Sequence, residues 1–218
     1  AMVCHKYRAH HDDPVLPDEP ERMSGMWADP LVGRPEWELF GAASAFGLYH
    51  RFGKATARGV GGFIVSRDDH WMFADTGLGY GDVVGVDDGV VGYETVGCPI
   101  TFDELQLPVA APHPGLPADI EIVGWCPSSN LRVGEYPKSI SALSDQGDLE
   151  FIAERVFSTF GADAPARARH GNAVMLTCKP FAETGGEITT IGSTDWVFGL
   201  AHDPTVAQIT ANVLRRYG

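Results

Sequence analysis

A chain of 218 residues is long enough to bury a sizeable core as one domain, or as one domain carrying a large insertion. With 29 acidic against 16 basic side chains and a formal net charge of -13, it repels phosphate backbones, which sets nucleic acid aside as a partner. No apolar run reaches the roughly 18 residues of a membrane helix, and Ala1 to Arg8 lack the apolar core of a signal peptide, so no membrane is expected either.

Val3 to Tyr7 reads as a short strand. Asp12 to Arg22 is acidic, is interrupted by Pro14, Pro17 and Pro20, and reads as a loop that continues through Pro30 to Pro35. Trp37 to Leu39 opens a more apolar stretch, followed by the small apolar residues of Ala42 to Tyr49. From Gly59 the composition shifts. Short runs (one within Gly59 to Ser66, His70 to Ala74, Val83-Val84, Val90-Val91) alternate with Gly77, Gly79, Gly81, Gly85, Gly89 and Gly92, a pattern of hairpins and tight crossings. These glycines are not a dinucleotide fingerprint, because no helix follows them. Leu107 to Pro117 is a proline-rich loop, and residues 59–118 together read as a glycine-rich β insertion in a single domain spanning 1–218.

Asp119 to Cys126 is a strand with a continuous apolar centre, as in a sheet covered on both faces. Pro127 to Lys138 reads as a surface excursion. The spacing of Leu149, Ile152, Val156 and Phe160 predicts a helix over Asp148 to Phe160, capped by Asp148 and ended by Gly161. Asn172 to Cys178 is again strand, Gly185-Gly186 a turn and Glu187 to Ile191 a strand. Val206, Ile209, Val213 and Tyr217 form one stripe of a last helix, Thr205 to Tyr217, with Pro204 just before its start and Arg215-Arg216 favouring its C-terminal end. Strands alternating with helices predict an open α/β sheet in the second half.

In such sheets ligands bind beyond the carboxyl ends of the strands. Val90-Val91-Gly92-Tyr93-Glu94-Thr95 brings a phenol and a carboxylate to such an end, and Glu94 can serve there as a metal ligand or a general base. A strand-end glutamate facing water or an arginine fits the same pattern. Ile191-Gly192-Ser193-Thr194-Asp195-Trp196 is the second such end: Ser193, Thr194 and Asp195 can present hydroxyls and a carboxylate. Equally, Asp195 can cap a turn and Trp196 can be core. Of the scattered histidines, His70 is singled out because it begins an aromatic run beside the Gly77 to Asp82 turn; the adjacent pair His10-His11 would point to opposite faces of a strand. Lys54 and Lys179 are weaker candidates for polarising a carbonyl. Neither a nucleophile elbow nor a phosphate-binding loop occurs. Cys4, Cys98, Cys126 and Cys178 are too dispersed for a zinc knuckle or a disulfide framework and read as half-buried thiols in a reducing cytoplasm. Trp27, Trp37, Trp71 and Trp125 have no regular spacing, which leaves carbohydrate binding a minor reading.

Several stretches together resemble one family: Met26-Trp27-Ala28-Asp29-Pro30 with Gly33-Arg34-Pro35-Glu36, His70-Trp71 with Thr76-Gly77-Leu78 and Tyr80-Gly81-Asp82, Gly92-Tyr93-Glu94 with Gly97-Cys98, Gly192-Ser193-Thr194-Asp195-Trp196, and Ile209-Thr210 with Asn212-Val213-Leu214. In that order the chain is similar to the C-terminal domain of the N,N-dimethylformamidase large (β) subunit. The resemblance implies a class I glutamine-amidotransferase-like, flavodoxin-type α/β fold without a catalytic cysteine. It also implies hydrolysis of the C–N bond of a small formamide, assisted by one non-haem iron held by tyrosines and a glutamate. The family's large subunits are longer, so the chain is expected to form the C-terminal portion of a larger enzyme or to need a partner chain or a homo-oligomer, with the ligating tyrosines upstream or on that partner. Lys179 and Glu183 stand where relatives carry an acid. On this basis Glu94, Asp195 and His70 are the candidate catalytic residues, Tyr93, Ser193, Thr194 and Trp196 the candidate substrate-binding residues, and Glu94 the candidate iron ligand. The competing expectation is a non-catalytic α/β subunit or ligand-binding module that completes a larger complex.

Overall fold

Two long strands organise the molecule. In the computed structural model, β8 (Glu121–Ser129) runs antiparallel to β9 (His170–Phe181), which turns through Gly185 into β10 (Gly186–Ile191). The structure describes residues 14–16, 18–23, 26–48, 61–130, 147–181 and 185–218, with the backbone alone at 51–52, 55–56, 58–59 and 147–148. On the other side of β8 lie β4 (Phe63–Val65) and then β5 (Val83–Val84), and β3 (Arg58–Gly59) pairs with the far end of β8, giving the order β10-β9-β8-β4-β5. A separate two-stranded ribbon joins β6 (Ile100–Phe102) to β7 (Pro108–Ala110), and another joins β1 (Arg51–Phe52) to β2 (Ala55–Thr56).

Side-chain alternation along β9 accounts for its unbroken apolar run. Ala173 and Met175 face one core, with Phe63, Val123, Trp196, Val206 and Ile209, while Val174, Leu176 and Cys178 face the other, with Ala42, Cys98 and Ile122. The sheet is covered on both faces, as its composition indicates. Its direction differs from expectation: every described pairing is antiparallel, whereas a flavodoxin-type open sheet is built of parallel strands. What stands is a mixed α/β fold around a curled antiparallel sheet.

Helix α5 (Pro204–Tyr217) lies over the first core; α1 to α4 are Trp37–Phe40, Gly147–Arg155, Ala164–Arg169 and Trp196–Gly199. Asp203 caps α5, accepting from the N–H groups of Thr205 and Val206 at 2.7 and 3.3 Å, so Pro204 is its first residue and not its flank. Asn212 donates to the carbonyls of Met72 and Ala74, and Arg216 and Tyr217 both bond Glu187 on β10. A third cluster packs α2 and α3 against Trp37 and Phe46.

Four local expectations change. The helix read over Asp148 to Phe160 ends at Arg155, where Val156 and Phe157 both donate to Ile152 O; the unwinding buries Phe157 beside Phe46, and Phe160 is exposed. His70 to Ala74 is a 3-10 turn (Trp71–Phe73) capped by His70, not a strand. Val90-Val91 are buried outside any strand, and Pro108 to Ala110 form a strand within the expected loop. Pro127 to Ser129 continue β8. The strand read at Val3 to Tyr7, and Cys4, His5, His10, His11, His50, Lys54 and Glu183, lie outside the described residues.

Candidate functional site

The two segments singled out for chemistry meet. Thr95 and Ser193 form an antiparallel bridge, Val96 N–H donates to Gly192 O at 3.1 Å, and the Thr194 hydroxyl donates to Tyr93 O at 2.8 Å. Four backbone segments converge here, and glycines let them touch. A Cβ on Gly192 would lie 2.5 Å from Val96 O and 2.7 Å from Val174 O. Gly47 abuts the Thr95 carbonyl and Gly171 lies against the carbonyls of Phe46 and Gly47. Hydrogen bonds then fix the register. Thr95 Oγ1 accepts from Leu48 N–H at 2.8 Å, Asn130 donates to Gly47 O at 3.0 Å, and Asn172 bonds both backbone groups of Cys98. Sequence reading missed Asn130, Asn172 and Gly47, because nothing in local spacing marks a distant carbonyl in contact.

The junction holds two carboxylates in different settings. Glu94 is exposed and its backbone has φ 42°, the left-handed region that a non-glycine residue occupies at a cost of about 1–2 kcal/mol. Such strain concentrates at functional positions. Asp195 is 3% exposed; its N–H donates to Ser193 Oγ at 3.3 Å and its carbonyl accepts from Phe198 N–H. Tyr93 is half-buried, Thr194 exposed and Ser193 buried. Trp196 is a core residue: its ring lies 6.0 Å from Phe63, and its indole N–H donates to Thr210 at 3.0 Å.

His70 stands elsewhere. Its Nδ1 accepts from Met72 N–H at 3.2 Å, and Nε2 faces Glu121 at 3.8 Å. Glu121 pairs with Thr177 on β9, whereas the junction meets β9 at Val174, about 10 Å back along the strand. Burial lowers the imidazole pKa, opposed by Glu121, Glu187 and Asp69. The structure therefore brings together Tyr93, Glu94, Ser193, Thr194 and Asp195, and not His70. Lys179, on β9, has its backbone N–H held by Asp119.

An iron centre of the kind the resemblance implies needs several hard oxygen ligands at one point. Among the described residues no three His, Cys, Asp or Glu side chains are placed to hold a metal ion. Glu94 can supply one oxygen donor, so the described residues do not fit such a centre by themselves. Cys98, Cys126 and Cys178 are buried thiols, and burial pushes the Cys98 thiol up to about 12. No helix among the described residues is long and apolar enough to cross a membrane.

A family model described as N,N-dimethylformamidase beta subunit-like, C-terminal, matches residues 1–209. No curated protein and no solved structure matches.

Proposed function

The chain belongs to the N,N-dimethylformamidase beta subunit-like, C-terminal family, and from that premise we propose that it is an amidohydrolase-type subunit or domain acting on the C–N bond of a small, formamide-like amide. Residues 1–218 act as one α/β domain, the C-terminal portion of a larger enzyme or one member of a complex with a partner chain. The observation that carries this reading is the Thr95–Ser193 bridge, which joins the backbone segment of the strained, exposed Glu94 to the segment of Ser193 and Thr194.

Hydrolysis adds water across the C–N bond and releases a carboxylic acid and an amine. Glu94 takes the proton from the attacking water and returns it to the leaving nitrogen. Asp195 orders the backbone turn that presents Thr194, and Tyr93 and Thr194 position the amide. Iron, with tyrosine ligands upstream or on a partner chain, stays part of the proposal; a Glu94 that ligated it would do so in place of acting as the free base.

Purified full chain, with any partner that co-purifies, should release amine and formate from N,N-dimethylformamide, and elemental analysis of the same preparation should find iron. Glu94→Gln should lower kcat by about 100-fold or more. Turnover unaffected by both Glu94→Gln and Asp195→Asn would overturn the assignment.

A second reading, a non-catalytic module completing a larger assembly, is favoured by one observation. Val197 and Phe198, directly after the junction, expose 57% and 52% of their surface, the kind of apolar area a partner covers. It predicts association with no turnover in any combination of chains.

A further inference from the structure

Glu94 is the exposed carboxylate of the junction, and its backbone stands at φ 42°. A non-glycine residue keeps such a conformation only where its surroundings fix it. Here both flanking peptide units are held by distant parts of the chain. The unit before Glu94 is held through Tyr93 O, which accepts from the Thr194 hydroxyl at 2.8 Å. The unit after it is held through Thr95 N–H, which donates to Leu48 O at 3.2 Å. Each peptide unit is planar, so only φ and ψ of Glu94 lie between the two held planes. Neither angle can return to an ordinary region without breaking one of these bonds.

Thr95 is the inner anchor. It is 1% exposed, and its Oγ1 accepts from Leu48 N–H at 2.8 Å, so side chain and backbone pair with Leu48 together. The chain beyond it continues the pairing: Val96 N–H donates to Gly192 O, and Val96 O accepts from Val174 N–H. Thr194 is the outer anchor. The antiparallel bridge of Thr95 with Ser193 sets Thr194 opposite Glu94, and from there its hydroxyl reaches Tyr93 O. Thr95 is too deeply buried for a ligand to touch, so any part it has in chemistry runs through Glu94.

We infer that Thr95 and Thr194 are positioning residues: they hold the peptide units on either side of Glu94, keep it left-handed and thereby set the direction in which its carboxylate leaves the backbone. The catalytic consequence rests on the reading of Glu94 as the base. From a right-handed or extended backbone the Cα–Cβ bond would point elsewhere, and a reacting group displaced by about 1 Å can lose about 100-fold in rate. The strain at Glu94 is then the cost of aiming its side chain.

Two measurements on the full chain, with any partner that co-purifies, test this. Backbone NMR couplings and carbon shifts of Glu94 report the sign of its φ. That sign should be positive in the parent and in Thr194→Ser, which keeps the donor, and should be lost when Thr95→Val and Thr194→Val are combined. Thr194→Val alone, at an exposed position, gives the same reading in part and serves if the double variant does not fold. With N,N-dimethylformamide as substrate, Thr95→Val should lower kcat by about tenfold at unchanged KM, and Thr95→Ser, which keeps the oxygen, should stay within about twofold of the parent. A φ that stays positive in the valine variants would overturn the inference. So would full kcat in a variant whose φ has changed sign while Glu94→Gln is inactive. Full turnover in Glu94→Gln is a separate result: it removes the base, and the sign of φ alone then decides for or against the two anchors.

Discussion

Asn172 acts as a strand partner for Cys98: its Oδ1 accepts from Cys98 N–H at 3.1 Å and its Nδ2 donates to Cys98 O at 2.9 Å. One side chain thereby extends the pairing of β9 to the segment that carries Tyr93 and Glu94.

Asn172→Ala leaves both backbone groups of Cys98 without that partner, and Asn172→Asp keeps an acceptor but loses the donor. At about 1 kcal/mol per hydrogen bond, and more where a buried group is left unmet, Asn172→Ala should cost about 2–4 kcal/mol, and Asn172→Asp no less if its charge is buried. Urea unfolding measures both. A loss under about 0.5 kcal/mol would mean that water replaces the side chain.

Gly192 is required for a steric reason and Gly186 is not. Gly192→Ala drives a methyl into the backbone carbonyls of Val96 and Val174, neither of which can rotate away, whereas a Cβ at Gly186 meets nothing within 4 Å. Gly192→Ala should cost more than about 3 kcal/mol or yield no soluble protein, and Gly186→Ala should lie within about 0.5 kcal/mol of the parent. Equal melting temperatures for the two variants would contradict the packing described.

These contrasts mark what the sequence could and could not tell. Strands β8, β9 and β10 and helix α5 announce themselves through apolar runs and a helical stripe, because periodicity reports which residues face a core. Periodicity is silent on strand direction. The short turn between β9 and β10 was the available sign, since only antiparallel strands close over so few residues. Helical spacing carries the stripe after Asp148 on through Val156 and Phe160, but Phe157 is the buried residue, drawn to Phe46 from a distant part of the chain and to the Arg167 guanidinium. The junction was half legible. Strand ends with polar residues pointed to Glu94 and Asp195, but the meeting of Thr95 with Ser193, nearly one hundred residues apart, depends on tertiary packing. The strained backbone of Glu94 left no trace in spacing.

His70 gives a pH dependence with a definite sign. Burial holds its folded pKa below the usual value of 6.5, and its Nδ1 already accepts from Met72 N–H, which a protonated ring could not do. The unfolded chain therefore takes up the proton first as pH falls. Stability from this group is complete above about pH 6.5 and declines below it until the folded state also protonates. His70→Asn keeps a cap for the 3-10 turn and removes the titration. Urea midpoints at about pH 7.5 and about pH 5.5 should differ less in His70→Asn than in the parent; the same difference in both would show that His70 is not responsible.

Glu94 tests whether strain and chemistry share a residue. An L side chain at φ 42° costs about 1–2 kcal/mol, and glycine removes that cost while adding about 0.5–1 kcal/mol of unfolded-state freedom. Glu94→Gly should therefore be as stable as the parent or up to about 1 kcal/mol more stable. Glu94→Gln keeps the strained backbone and most of the shape, so its stability should not change. If the carboxylate is the base, both variants lose turnover together despite their different stabilities. If the residue serves only the turn, Glu94→Gly should keep full turnover in a protein that melts no earlier, and the catalytic assignment falls. The pair separates the two roles because glycine relieves the backbone while glutamine changes only the charge.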